Sequence, residues 1–295
     1  MFFEFFERIK SGFKLLKPSF AIIHKHRPLI VFAVLKVIAL ISIGSLVIFG
    51  YFLSMVGFMM YVSKQLPQTI SVPLGTILAF VWVFFPILVI RIINNYFNIA
   101  IINYVAGILN HTKTSIGSSL KLSFHKILPI IRWSIVSSAA IMLRKFLGHE
   151  RRSTSVLGET LYVAWATGTI FVEPIIAREN LSLMDSIKKS ATLIKNAFGE
   201  VIGASTGFAF LKGVITMVGA LYLYMFIKTT KNIEFTSTSS MIITAIIIVG
   251  LFLLFELISL ADYIFRTAVY QYAVNKNSGP FSEHLIKTSF IKHKK

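Results

Sequence analysis

From Leu29 to Tyr61 the chain carries a single charged residue, Lys36, and further long apolar blocks come after it. A helix rises 1.5 Å per residue, so about 20 apolar residues cross a hydrocarbon core about 30 Å thick. The blocks are continuous rather than alternating at period two, which favours helical spans over an outer-membrane barrel. Composition agrees: 55% of the 295 residues are hydrophobic and 14% are charged, where a soluble domain carries about 25% charged residues. The expected fold is all-α, a polytopic transmembrane helical bundle of about six spans with N-terminal and inter-span amphipathic helices.

The first span is expected over about Leu29–Tyr61, with Pro28 at its start, where a missing N–H costs little. Lys64 to Pro73 reads as a turn. The second span is clearest from Leu74 to Ile90, with a kink expected at Pro86, and its helical pattern continues to about Leu109. Ile127–Phe146 is the weakest block, with Pro129 and Arg132 inside it. It admits three readings: a full span, a re-entrant segment or a half-helix. The fourth span is expected over Leu157–Ala177, the fifth over Val201–Ile227 and the sixth over Ser240–Phe265. Between the fourth and fifth, Ser182-Leu183-Met184-Asp185 resembles a capping box. It opens a surface helix with Ile187, Ala191 and Ile194 opposite Lys188, Lys189 and Lys195. No soluble domain and no internal repeat is evident. Residues 1–28 form an amphipathic cytoplasmic lead-in, 29–274 the transmembrane bundle and 275–295 a basic cytoplasmic tail.

The N-terminus lacks the basic start and small-residue cleavage site of a signal peptide. Its Phe2, Phe5, Phe6, Ile9 and Phe13 recur at helical spacing, an amphipathic pattern suited to the membrane interface. The net charge of +18 flanks the apolar blocks, so it marks orientation and lipid contact rather than nucleic-acid binding. Six spans place 20 of the 30 Lys and Arg on one side and seven on the other, with Lys36, Arg132 and Lys212 inside spans. Both termini are therefore expected in the cytoplasm, and a prokaryotic inner membrane is the expected location. The Arg144–Arg152 cluster is the exception on the sparse side.

The candidate charges within the blocks are Lys36, Arg132, Glu173, Lys212, Glu256 and Asp262. A charge facing lipid is costly, so each should face protein, water or headgroups. Arg132 with Glu173 is the first pair expected, either as a structural ion pair or on a proton or anion path. Arg91, Asn94, Asn95 and Asn98 share one side of the second helix and are candidate headgroup contacts, arginine being suited to phosphate. A water-exposed helix end explains them equally well. Gly199, Gly203 and Gly207 repeat every four residues, a flat stripe for helix packing within the monomer or in a homodimer.

Cysteine is absent, which removes disulfides, thiolate metal sites and cysteine nucleophiles. No His-Glu-x-x-His, P-loop or Gly-x-Ser-x-Gly motif occurs. No catalytic, cofactor-binding or metal-binding residues are assigned, and the chain is read as a non-enzyme.

Trp165, Thr169, Pro174, Glu179, Ile187-Lys188-Lys189-Ser190-Ala191 and Phe198-Gly199-Glu200 form a recognisable series. Tyr270-Gln271-Tyr272-Ala273 closes it, and Arg8 to Phe13 with Leu15 to Ser19 fit more loosely. With these residues the chain resembles a family of uncharacterised prokaryotic multi-pass membrane proteins (domain of unknown function 6159). Phe198 stands where the family pattern has Trp, and Glu173 where it has an apolar residue. The resemblance implies architecture and no activity. The leading expectation is a bundle that organises lipid, chiefly anionic headgroups, or a membrane-protein partner. The alternative is a transporter or lipid-translocating channel using the charges within spans.

Overall fold

A computed structural model describes residues 17–58, 60, 68–147, 152–196, 198–230 and 238–275 of the chain. The amphipathic stretch through Phe13, residues 64–67 of the expected Lys64–Pro73 turn and the tail from residue 276 lie outside them; residues 68–73 of that expected turn are already helical. Among the described residues all regular structure is helical. After a helical stretch over 17–25 come α1 (Pro28–Gly57), α2 (Gln68–Leu109), α3 (Ile116–His125), α4 (Ile127–Leu147) and α5 (Arg152–Gly168). Then come α6 (Val172–Arg178), α7 (Leu183–Asn196), α8 (Phe198–Thr230) and α9 (Thr238–Asn275).

Among the described residues six stretches are long and apolar enough to cross a membrane: Pro28–Gly57, Phe80–Leu109, Ile127–Arg144, Gly158–Arg178, Ser205–Phe226 and Ile242–Val274. The weak third block is thus one unbroken helix of 21 residues, just long enough for a crossing. Two boundaries move. The second span reaches Leu109 and so contains Arg91, Asn94, Asn95 and Asn98. The sixth continues to Val274 and takes in Arg266 and Gln271.

The fourth span is not one helix. It stops at Gly168 and restarts at Val172. Pro174 explains the position: it has no N–H for the Ile170 carbonyl, and its ring clashes with that carbonyl in a continuous helix.

The chain divides into two compact units, residues 1–37, 101–116 and 191–295 in the first and 38–100 and 117–190 in the second. In the first, α8 packs along α9, with Phe208 near Phe265 at 6.1 Å between ring centres. Phe32 meets Tyr104 edge-on at 5.4 Å, and Leu29, Val105, Leu260 and Ile264 are buried. In the second, α4 packs on α5, and Trp133 lies on Trp165 at 6.2 Å. Outward-facing positions are apolar, Leu46, Phe49, Phe52 and Ile246 among them. That is the inverted surface expected where lipid is the solvent.

The end of α2 is locked by a Schellman turn. Thr112 N–H donates to Gly107 O at 2.9 Å and His111 N–H to Ile108 O at 3.1 Å, with His111 in the left-handed region at φ 54°. A Cβ at Gly107 would lie 1.9 Å from Thr114 Cγ2, so any larger residue there forces Thr114 to shift.

Candidate functional site: polar residues within the spans

The last span carries the charges of the first unit. Glu256 accepts from Lys36 Nζ at 2.8 Å, with both side chains at most 5% exposed. One and a half turns on, Asp262 is gripped by two cations. Lys212 Nζ donates to Oδ2 at 2.9 Å. Arg266, one turn along α9, donates through Nε to Oδ1 at 2.9 Å and through Nη2 to Oδ2 at 2.8 Å. The Tyr263 ring lies 5.9 Å from Lys36 Nζ and 5.6 Å from Arg266 Cζ, within cation–π range of each. Such buried pairs persist because breaking one leaves an uncompensated charge in a poor solvent.

The second unit holds neutral polar groups around one acid. Asn95 Nδ2 donates to Ser134 Oγ at 2.9 Å, and Ser134 donates to Ile130 O at 2.7 Å. Asn98, one turn from Asn95, approaches Glu173 Oε1 at 3.5 Å. Asn95 Oδ1 and Ser138 Oγ are buried and have no hydrogen-bond partner among the described residues. Arg132 does not join this group. It is exposed on α4, and no ion pair with Glu173 is found among the described residues. Residues 132 and 134 diverge on a helix, so burying Ser134 turns Arg132 outward.

The break between α5 and α6 is closed by a residue of α7. Ser190 Oγ accepts from Phe171 N–H at 3.1 Å and donates to Gly168 O at 2.7 Å. One hydroxyl thereby satisfies a donor and an acceptor that the interrupted helix leaves open. Thr169 returns its own hydroxyl to Trp165 O at 2.8 Å. Of the expected apolar stripe, Ile194 is buried together with Ser186 and Ser190, and Ile187 is half-buried. Ala191 is exposed. Lys189, expected in solvent, donates to both Glu179 carboxylate oxygens at 2.7 Å. Lys126 donates to Glu179 O at 3.0 Å and to Asn180 Oδ1, and burial pushes its ammonium below the ordinary lysine value.

Of the candidate headgroup contacts, Asn95 is 1% and Asn98 3% exposed. Both point into protein and are corrected to interior positions, because the span extends well past them. Arg91 and Asn94 are half-buried, and Asn94 Nδ2 caps Ile90 O of its own helix at 3.0 Å. Gly207 is buried. Gly199 and Gly203 belong to α8, but their surroundings lie outside what is described. In the exceptional basic cluster, Arg144 pairs with Glu159 at 2.7 Å and lies 4.6 Å from the Tyr162 ring, which offsets part of that loop's charge.

Sequence reading missed Arg266, which lies one residue past the expected end of the sixth span, and the clamp of Ser190. The four-residue step from Asp262 to Arg266 is a visible signal for the first. Nothing local signals the second. Among the described residues no three His, Asp or Glu are grouped to hold a metal ion.

The profile of a family of unknown function (DUF6159) matches residues 75–281. Neither a curated protein nor a solved structure matches the chain.

Proposed function

We propose that this chain, which belongs to the DUF6159 family of unknown function, is a non-enzymatic membrane bundle. It organises lipid or partner proteins at a prokaryotic cytoplasmic membrane, with both termini on the cytoplasmic side. One observation carries the reading. Four of the six candidate charges named from the sequence, Lys36, Glu256, Lys212 and Asp262, bond to charges of the same unit. Charges so arranged fix helices against one another. The surplus of Lys and Arg on one side supplies the orientation and the affinity for anionic headgroups.

The test is the lipid that accompanies the full-length protein. Extracted in mild detergent from a membrane of known composition, it should retain anionic phospholipid in excess of the bulk fraction. Retained lipid of bulk composition would remove the support.

A transporter or lipid-translocating channel is the second reading, favoured by the unsatisfied Asn95 Oδ1 and Ser138 Oγ. Buried polar atoms of this kind are completed by water, and broken helices beside polar groups recur in transport proteins. Flux through reconstituted protein should then fall in Glu173→Gln and Asn95→Leu. Unchanged flux in both variants would leave this reading without support.

A further inference from the structure

Four short stretches of the chain share one pattern. They are Leu16-Lys17-Pro18-Ser19-Phe20, Leu120-Lys121-Leu122-Ser123-Phe124, Ile187-Lys188-Lys189-Ser190-Ala191 and Ile286-Lys287-Thr288-Ser289-Phe290. The fourth lies outside the described residues. In the other three, equivalent positions have equivalent surroundings. Lys17, Lys121 and Lys188 are exposed. The serine two residues on is fully buried in each, Ser19, Ser123 and Ser190 all at 0%. The next residue, Phe20, Phe124 or Ala191, is exposed again. Four residues past each serine stands an isoleucine on the inward side: Ile23 and Ile194 are buried and Ile127 is half-buried.

Each copy also leads into the same arrangement, a short helix that ends where a spanning helix begins. The helix over 17–25 breaks at 26–27 and α1 begins; α3 ends at His125 and α4 begins; α7 ends at Asn196 and α8 begins. Two candidate spans then intervene before the next copy. The spacing between copies is unequal, because loops and span lengths differ. A search for a fixed period therefore passes over the pattern.

We infer that the chain is a threefold array of one module, a lysine-bearing surface helix joined to two spans. Lys17, Lys121 and Lys188 are its repeated contacts for anionic phospholipid headgroups. Two crossings return the chain to the face it left, so all three helices meet the same leaflet. On each, the buried serine fixes the rotation, so the lysine faces away from the protein interior and toward the headgroups. An exposed Phe beside the lysine, 39% at Phe20 and 64% at Phe124, supplies the apolar half of an interfacial contact. Ala191 supplies little in the third copy, where Met184 is 61% exposed at the start of the same helix.

The inference rests on the lipid-organising reading, and two measurements on the full chain separate their failures. The chain has no cysteine, so Lys17→Cys, Lys121→Cys and Lys188→Cys each give one labelling site. In sealed vesicles, a membrane-impermeant maleimide should reach all three from one and the same side. Labelling of any one from the opposite side overturns the module. The second measurement is anionic lipid retained by the protein in nanodiscs of mixed phosphatidylglycerol and phosphatidylethanolamine. Combined Lys17→Gln, Lys121→Gln and Lys188→Gln should weaken retention about fivefold per site, the effect of one lysine at an anionic surface. Lys25→Gln, Lys113→Gln and Lys195→Gln, also exposed, remove the same charge and should weaken it far less. Equal losses in the two triples overturn the repeated contacts but not the broader reading. No loss in either, with no anionic excess in the parent protein, overturns both.

Discussion

The hydroxyl of Ser190 holds the amide of Phe171 at 3.1 Å and, on its other side, the carbonyl of Gly168 at 2.7 Å. A surface helix thus completes a membrane-spanning helix that Pro174 interrupts. Ser190→Ala would leave the buried Phe171 amide and the half-buried Gly168 carbonyl without this partner, at a cost of about 1–3 kcal/mol. Ser186 is equally buried, but its hydroxyl bonds Ser182 O within its own turn at 2.9 Å. Ser186→Ala should cost much less. Unfolding of the two variants in detergent, monitored by circular dichroism against denaturant, makes the comparison. Equal losses would show that Ser190 contributes by packing alone.

Asp262 answers to two cations, and its loss should be severe. Asp262→Asn keeps the shape but leaves Lys212 and Arg266 without the carboxylate they share, which should cost about 3–5 kcal/mol. The pair Lys36 and Glu256 allows a cleaner test. Lys36→Met or Glu256→Leu alone leaves a buried charge behind, whereas the double variant leaves none. The double should therefore be more stable than either single, a coupling measured by a double-mutant cycle.

His111 occupies a left-handed conformation at φ 54° that glycine adopts without strain. His111→Gly should raise stability by about 0.5–1 kcal/mol. Thermal unfolding of the two proteins in the same detergent reads the difference. A lowered midpoint would mean that the imidazole contributes more than the backbone strain removes.

Lys126 gives a pH dependence of unusual sign. Burial lowers its folded-state value, so the folded protein releases this proton before the unfolded chain does. Its unfavourable contribution is complete below the folded value and fades as pH rises through that value toward the ordinary value near 10.5. Relative to Lys126→Met, the parent protein should gain stability across the alkaline range. Parallel pH profiles of the two would show that the site stays hydrated.

Much of this architecture is legible from residue order alone, because a bilayer demands long apolar helices and leaves few alternatives. Leu109 as the end of α2 and six apolar stretches are consequences of that demand. The interior of the bundle is not. Arg91 to Asn98 read as a polar helix end until the span is seen to continue to Leu109, which puts Asn95 and Asn98 among protein neighbours. Arg132 lies deep in an apolar block yet faces outward, since rotation about a helix axis is set by the neighbours that Trp133 and Ser134 find. The pairing of Lys189 is hidden because its partner Glu179 comes from the preceding loop, and pairing across a loop leaves no periodic mark. Pro174 is a visible signal, but a proline announces a break without saying which side chain will close it.

The tight turn after α2 has a consequence for descent as well as for stability. Nothing larger than hydrogen fits at position 107 while Thr114 keeps its methyl group 1.9 Å from where a Cβ would stand. Among relatives that share this turn, positions 107 and 114 should therefore change together. A side chain at the first should coincide with a smaller residue or a lengthened loop at the second, and an aligned set of such sequences would display the exchange directly.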